Sequence, residues 1–390
     1  MLKKVLLATL CWAWVLGAAG AAPKKGIYCR VPFSTDRAGQ YIVTLSTPAG
    51  DARFIFDTGS PEVIVSRSLA QALEGISLPD TRDIYDYTNR RISAESAWLD
   101  SLRLGDILFP RIRANVLPDS LAWHRCQGYD GILGGEMLRR WVVSIDPRDS
   151  CIVLTDDIRR LGKLPRKHSV RFVRAGGSGV VIRLKAAAGK RRSAHWACID
   201  TGSAKYACRN DQFSALQQDG VLRAVSSCTA LEADYGLVEG DKTAKTYRRA
   251  VIPRLTLAGA TAENVPVEAS FGGISTLGRT ILEQGRIVID YPHRRFFFIP
   301  ERQTTVFRPV FSNITWRYDN ERIVVAGIWD EDTQGGVAPG DHIVSIDGAD
   351  CRRTSLCDFF SLPPVREGTV LGIESPNGTS YTFTVHYSEP

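Results

Sequence analysis

From about residue 38 to residue 300, short apolar runs alternate with polar residues and are broken by Pro and Gly. That spacing predicts strands joined by tight turns, not long amphipathic helices. YIVTLSTPAGDARFIF (41–56) reads as a hairpin, and VVIRLKAAAGKRRSAHWACI (180–199) reads as another. Each runs into the tetrapeptide DTGS. Polar strand-like segments follow, then LRLGDILFP (102–110) or LTLAGATAENVPV (255–267). GGEMLRRW (134–141) and RTILEQG (279–285) predict one short helix per unit. VVSIDPRDSCIVL (142–154) and RIVIDYPHRRFFFI (286–299) predict a closing strand pair in each.

The same order occurs twice at a nearly constant offset. Asp57 and Asp200 are 143 residues apart. Ile132-Leu133-Gly134 precedes Thr276-Leu277-Gly278 by 144, and Ile145-Asp146-Pro147 precedes Ile289-Asp290-Tyr291 by 144. This is one duplicated unit, not a short-period solenoid. A single DTGS after an apolar run would read as a strand ending in an Asx turn. Two of them raise a chemical possibility. Paired carboxylates at close range share a proton, so one is a base while the other is an acid. Such a pair can activate a water against an amide carbonyl and then protonate the leaving amine. Gly59 and Gly202 would permit a tight turn and close backbone approach. Thr58 and Thr201 carry hydroxyls able to bond across a symmetric interface. Ser60 and Ser203 carry hydroxyls expected to donate to the outer carboxylate oxygens.

FIFDTGS, YDGILGG and SIDP, repeated as CIDTGS, STLGRT and VIDYP, resemble the aspartic proteases of the pepsin and retropepsin type. The resemblance covers about residues 38–300. It implies a mainly β, bilobal, pseudo-twofold fold of two β-barrel lobes, over 26–161 and 162–300. It implies that Asp57 and Asp200 are catalytic, with Thr58, Gly59, Ser60, Thr201, Gly202 and Ser203 supporting them. The Ile-Leu-Gly and Thr-Leu-Gly motifs match the strand beneath the catalytic turn, the second with Thr in place of an aliphatic residue. Both lobes lie in one chain, so the dyad requires no dimer, and no metal or organic cofactor is implied. In that family a hairpin closes over the substrate and often carries a tyrosine. Tyr85 and Tyr87 in DIYDYTNRRISAES are the first-lobe candidates, with the turn at 88–91, or else ordinary strand tyrosines. Tyr235 and Tyr247 are the second-lobe equivalents.

Beyond ERQTTVFRP (301–309), the stretch VAPGDHIVSIDG (337–348) resembles the Gly-Asp core of a PDZ domain, over about 305–388. CDFFSLPPV (357–365) would be its shortened helix. PDZ domains take extended peptides by strand addition. No GLGF-type carboxylate loop is present; SNITW (312–316) is nearby without matching. A structural cap on the lobes is the other reading.

Composition narrows the class. The chain has 390 residues, 44% apolar and 23% charged, an ordinary globular balance. Residues 1–22 read as a secretory signal peptide: basic MLKK, apolar VLLATLCWAWVLG, then small residues with a cut near 20–22. A lipoprotein leader fits less well because Cys11 lies inside the apolar run. No later stretch approaches ~18 uninterrupted apolar residues, so no further membrane segment is expected. Export places the chain in the periplasm, the cell envelope or the medium, where disulfides form. The close pairs Cys198–Cys208 and Cys351–Cys357 suggest themselves. No CxxC and no HxxxH-type spacing points to zinc.

The formal charge is +7, and residues 163–192 hold ten Lys and Arg with no acid. That stretch reads as a solvated linker and hairpin edge, or as an attraction to an anionic surface. Nucleic acid is not an expected partner, for no recognition motif accompanies the charge. Ser178 in GGSG lacks a nucleophile elbow. His195, five residues before Asp200, reads as an exposed strand histidine. The function expected is an exported aspartic endopeptidase acting on protein or peptide substrates, with the PDZ-like domain docking peptides or regulating access. The alternative is a catalytically silent peptide-binding or scaffold protein of the envelope.

Overall fold

A computed structural model describes residues 26–86, 89–176, 178–232, 243–329 and 335–390. The signal-peptide reading, Tyr87 and Tyr235 fall outside them. The chain is mostly strand. In the first lobe six strands close into a barrel: Tyr41–Thr47, Gly50–Phe56, Gly131–Leu133, Val63–Ser66, Ile107–Leu117 and Arg91–Leu104. Leu45 opposite Leu104 seals the ring. The second lobe repeats it with Gly179–Ala188, Arg191–Ile199, Thr276–Leu277, Tyr206–Arg209, Ala260–Ser270 and Lys245–Leu257. There Lys185 opposite Thr256 makes the seal. Closure removes sheet edges and turns each strand's alternate face inward. Phe54, Phe56, Leu45, Leu99, Leu102 and Leu104 fill the first barrel.

The closing strand pairs do more than finish each unit. Val142–Asp146 pairs antiparallel with Gly285–Asp290, Ser144 opposite Val288, so one six-stranded sheet runs through both lobes. This shared sheet fixes the lobes on a common floor.

Helices beyond the expected ones appear among the described residues, and two of them are equivalent in the repeat. Arg67–Ala72 and Asn210–Gln218 each follow a short barrel strand at the same place in the repeat. The first is capped by Ser66, whose side chain accepts from the Leu69 amide, and the second turns Phe213 and Leu216 into the core. The expected helices shrink to Gly135–Leu138 and Arg279–Leu282. Residues 304–306, inside the expected interdomain boundary, add a strand beside Ala260–Ser270.

The C-terminal unit is built on a six-stranded antiparallel sheet around Ile323, Val325, Ile343, Leu371, Ile373 and Phe383. Asp347 and Gly348 both have positive φ, 49° and 81°, and turn the chain from His342–Ile346 into Ala349–Asp350. Positive φ at both central residues is the requirement of the tight hairpin turn that Asp-Gly supplies. The helix Leu356–Ser361 ends before Pro363, which cannot continue it.

The disulfide joins neither suggested pair. Cys126, after the short helix Ala122–Arg125, bonds Cys357 in the C-terminal helix. Cys198 and Cys208 are free because Thr276–Leu277 runs between their strands. Cys351 is buried and donates to the Ile343 carbonyl. A non-reducing peptide map should show the 126–357 link alone, with Cys29, Cys151, Cys198, Cys208, Cys228 and Cys351 alkylated only after unfolding. Alkylation of those six in the folded protein would contradict their burial.

Candidate active site

Each DTGS sits where its barrel strand leaves the sheet. The Asp57 amide donates to the Leu133 carbonyl (3.0 Å), and the Asp200 amide to that of Leu277 (3.1 Å). The two apolar-Gly motifs thus lie beside the two turns, where the resemblance places them. Gly131–Leu133 runs parallel to the strand entering Asp57, and Thr276–Leu277 parallel to the one entering Asp200.

Threonines lock the turns together. The Thr58 amide donates to Thr201 Oγ1 (3.0 Å) and the Thr201 amide to Thr58 Oγ1 (3.1 Å). Thr58 Oγ1 donates to the Ile199 carbonyl and Thr201 Oγ1 to that of Phe56, both at 2.8 Å. Both threonines are fully buried. The four bonds are reciprocal, so each lobe's turn is held by the other's backbone.

This lock brings the carboxylates face to face. A Cβ on Gly59 would stand 2.4 Å from Asp200 Cγ, and one on Gly202 would stand 2.4 Å from Asp57 Cγ. No side chain fits at either position, because the opposite carboxylate already occupies the space. Burial pushes the Asp57 carboxyl up from its ordinary value, against backbone N–H groups that pull it down. Burial pushes Asp200 up well above the ordinary range, and the nearby Asp57 charge adds to it. The environments differ. Asp57 Oδ1 accepts the Gly59 (2.8 Å) and Ser60 (3.1 Å) amides, while Asp200 Oδ1 accepts the Ser203 amide (2.9 Å). More donors favour the ionised form at Asp57, while burial and the nearby Asp57 charge favour the protonated form at Asp200.

The serines act through their amides, not their hydroxyls. Ser60 Oγ donates to the Glu62 carbonyl (2.9 Å) and Ser203 Oγ to the Lys205 carbonyl (3.3 Å). The turn aims each amide at its aspartate and leaves the hydroxyl facing the chain that follows. Ser60→Ala is therefore expected to cost about 1 kcal/mol of stability and to leave the pH dependence of any turnover in place. A displaced pH profile would show that the hydroxyl touches the carboxylate after all.

Arg279 and Gln40 escaped the sequence reading. Arg279 is 3% exposed. Its Nη1 donates to Gln40 Oε1 (2.9 Å) and the Thr201 carbonyl (2.8 Å), and its Nη2 to the Ala38 carbonyl (2.6 Å). Gln40 Nε2 donates to the Gly202 carbonyl (2.9 Å). The first-lobe loop 36–40 is thereby tied to the second DTGS turn. On the opposite side Ser178 Oγ donates to the Pro61 carbonyl, the pseudo-symmetric counterpart. An asymmetry was visible: an arginine follows Leu-Gly in the second repeat where the first has Gly135.

The first-lobe hairpin exists as expected, Ile76–Tyr85 against Arg91–Leu104. Tyr85 pairs with Arg91, and Asp86 accepts the Arg90 amide on Oδ1 (3.0 Å); the expected turn at 88–91 lies partly outside the described residues. Tyr85 lies at its end, 60% exposed. Tyr247 packs edge-on against Phe271 in the second lobe.

His195 is a correction. It is buried, not exposed, and its Nε2 bonds the Tyr206 hydroxyl. It faces inward because its register places it opposite Leu184, on the core side of the second barrel. Burial lowers its pKa from 6.5 to about 4. Between those values the unfolded chain takes up a proton that the folded chain refuses. Stability from this group is thus full above about pH 6.5 and falls by roughly 3 kcal/mol as pH drops to about 4. Urea unfolding of wild type and His195→Gln across that interval should show the difference closing with acid; a constant difference would refute it.

Among the described residues, no group of three or more His, Cys, Asp or Glu is placed to hold a metal ion, and no helix is long and apolar enough to cross a membrane.

A family model described as an aspartyl protease matches residues 48–137, which include the first DTGS and the hairpin. No curated protein matches significantly. Among solved structures, conglutin gamma, a basic 7S globulin from lupine seeds, aligns at 13% identity and a TM-score of 0.45. That alignment covers 70% of this chain and 95% of conglutin gamma. The region from 48 to 137 is thus aspartyl-protease-like in sequence, and the two barrels agree with a bilobal fold of that kind.

Proposed function

We propose that this chain is an exported aspartic endopeptidase in which Asp57 and Asp200 activate one water between them. The carrying observation is the reciprocal packing of each turn glycine against the other lobe's carboxylate. Ionised Asp57 takes a proton from the water, whose oxygen bonds to the peptide carbonyl carbon. Protonated Asp200 donates its proton to the carbonyl oxygen, giving a neutral tetrahedral diol. Return of a proton from Asp57 to the amide nitrogen, and of a diol proton to Asp200, breaks the C–N bond and restores the pair. Burial supports this division, for both carboxyls are held above their ordinary values with unequal donor sets. Leader residues 1–22 support export.

The C-terminal unit we read as PDZ-like, docking peptides or regulating access. In support, Ile314–Asp319 is an edge strand of its sheet, paired to Arg322–Ile328 alone among the described residues. Tyr318 in that strand lies beside Phe359 of the helix. An extended peptide adds to such an edge.

The test is cleavage of a mixed peptide library by the mature chain from about pH 3 to about pH 8, with and without a pepstatin-type inhibitor. Inhibitor-sensitive cleavage is the expected result. Inertness at every pH would leave a peptide-binding protein.

A further inference from the structure

The C-terminal unit touches both lobes. On the first, Cys126 is bonded to Cys357, and an Arg37 Nη1 donates to the Ser361 carbonyl. Arg37 belongs to the loop that reaches Arg279 and Gly202. On the second, the unit's strand Arg322–Ile328 lies against Arg223–Ala230. A Cβ on Gly327 would stand 2.5 Å from that of Ala230, and the Leu231 amide donates to the Ala326 carbonyl (2.8 Å). Arg249 adds a further tie: it donates to the Ser312 carbonyl (2.7 Å), with its guanidinium 4.6 Å from the Phe311 ring centre and 4.2 Å from that of Trp329.

The first-lobe hairpin ends at the same place. Asn89, in the left-handed region at φ 66°, brings its side-chain oxygen within 3.1 Å of where a Cβ on Gly273 would be. Gly273 is two residues before Ser275, whose carbonyl accepts the Cys198 amide near Asp200. Next to Asn89, Arg90 forms an ion pair with Glu232. Its side chains are only 20% and 10% exposed. The Glu232 carbonyl in turn accepts a bond from Arg317 of the C-terminal unit (3.0 Å), a residue 1% exposed. The hairpin therefore crosses from the first lobe and is pinned to a glutamate that the C-terminal unit holds by its backbone.

We propose that Glu232 and Arg317 are positioning residues through which the C-terminal unit holds the hairpin closed across the cleft. The Arg90–Glu232 pair breaks when a chain is admitted, and it forms in register only while Arg317 holds the Glu232 backbone. A long or folded substrate, which needs a wide opening, meets more resistance than a short peptide. The substrate part rests on the protease reading; the hairpin part does not.

Hydrogen exchange on the full-length mature chain is the test. Wild type, Arg90→Met, Glu232→Gln, the Arg90→Met/Glu232→Gln double variant and Arg317→Met are compared at residues 81–86 and 90–95. Glu232→Gln is expected to speed exchange there by about tenfold. It leaves the Ile343–Ile373 sheet and the Tm unchanged. The double variant exchanges no faster than either single one, since one pair is being broken. Arg317→Met, outside the first lobe altogether, speeds the same amides. Glu232→Gln should also raise kcat/KM for a folded protein relative to a short peptide by about threefold or more. Unchanged hairpin exchange in Glu232→Gln, or additive effects in the double variant, overturns the proposal. If Arg317→Met unfolds the C-terminal unit, the Cys126→Ser/Cys357→Ser variant replaces it: faster exchange at 90–95 supports the coupling, and wild-type exchange with the unit detached refutes it. A chain without turnover that shows the exchange changes defeats the protease reading and leaves the pinned hairpin.

Discussion

Asp57→Asn and Asp200→Asn are each expected to reduce kcat/KM by about a thousandfold or more, and the two together to do no worse than either alone. The substitution is nearly isosteric, so the turn and its threonine lock persist while the ability to exchange a proton is lost. In the proposed cycle each aspartate acts in both halves, as donor in one and acceptor in the other, so losing one would disable the pair. Stability moves the opposite way. Folding raises both carboxyls above their unfolded values through burial. The proton-linked stabilisation is therefore fully present below the ordinary carboxylate range and is lost as pH rises through the raised values. At neutral pH an Asn variant escapes that loss and unfolds at higher urea than wild type. In acid the advantage disappears. Cleavage assays beside urea titrations at two pH values test both statements. Full activity in one single variant, or a stability gain that persists in acid, would disprove the shared-proton site.

Arg279→Met is expected to lower stability by roughly 3 kcal/mol and kcat/KM by about a hundredfold. The arginine serves Gln40, Ala38 and Thr201 at once, and two of those acceptors belong to the first lobe while the third belongs to the catalytic turn of the second. Removing the fork takes a donor from the buried Thr201 carbonyl and loosens the first-lobe loop from the second-lobe turn. An ångström of drift at that turn separates the carboxylates. Arg279→Lys keeps the charge but cannot reach two lobes with a planar fork, so it recovers only part of either quantity. Urea unfolding and peptide cleavage decide this. A wild-type kcat/KM in Arg279→Met would show that the shared floor sheet aligns the dyad unaided.

Much of this was readable from the chain alone, and for a local reason. Strand periodicity, Pro-Ala-Gly and Asp-Gly turns, and a carboxylate followed by threonine and glycine are relations between near neighbours. Repetition at an offset of 143–144 then says that two such turns belong to equivalent places in equivalent units. Those features determined the mainly β duplicated architecture and the pairing of Asp57 with Asp200 as a candidate site.

What the chain could not announce depends on which distant surfaces meet. Ser60 and Ser203 looked able to hold the carboxylates by their hydroxyls, yet the turn geometry gives that task to their amides. His195 alternates in a strand that reads as half exposed, and only barrel closure turns it inward. Cys357 has a cysteine six residues away and bonds one 231 residues away instead, because helix packing sets thiol against thiol without regard to spacing. Gln40 with Arg279, and Arg90 with Glu232 and Arg317, are likewise encounters between segments remote in the chain. Near-neighbour chemistry determined the strands, the turns and the two aspartates. Packing of closed barrels against each other and against the C-terminal unit decided how those aspartates are aimed, since contact between remote segments is a property of shape and not of sequence distance.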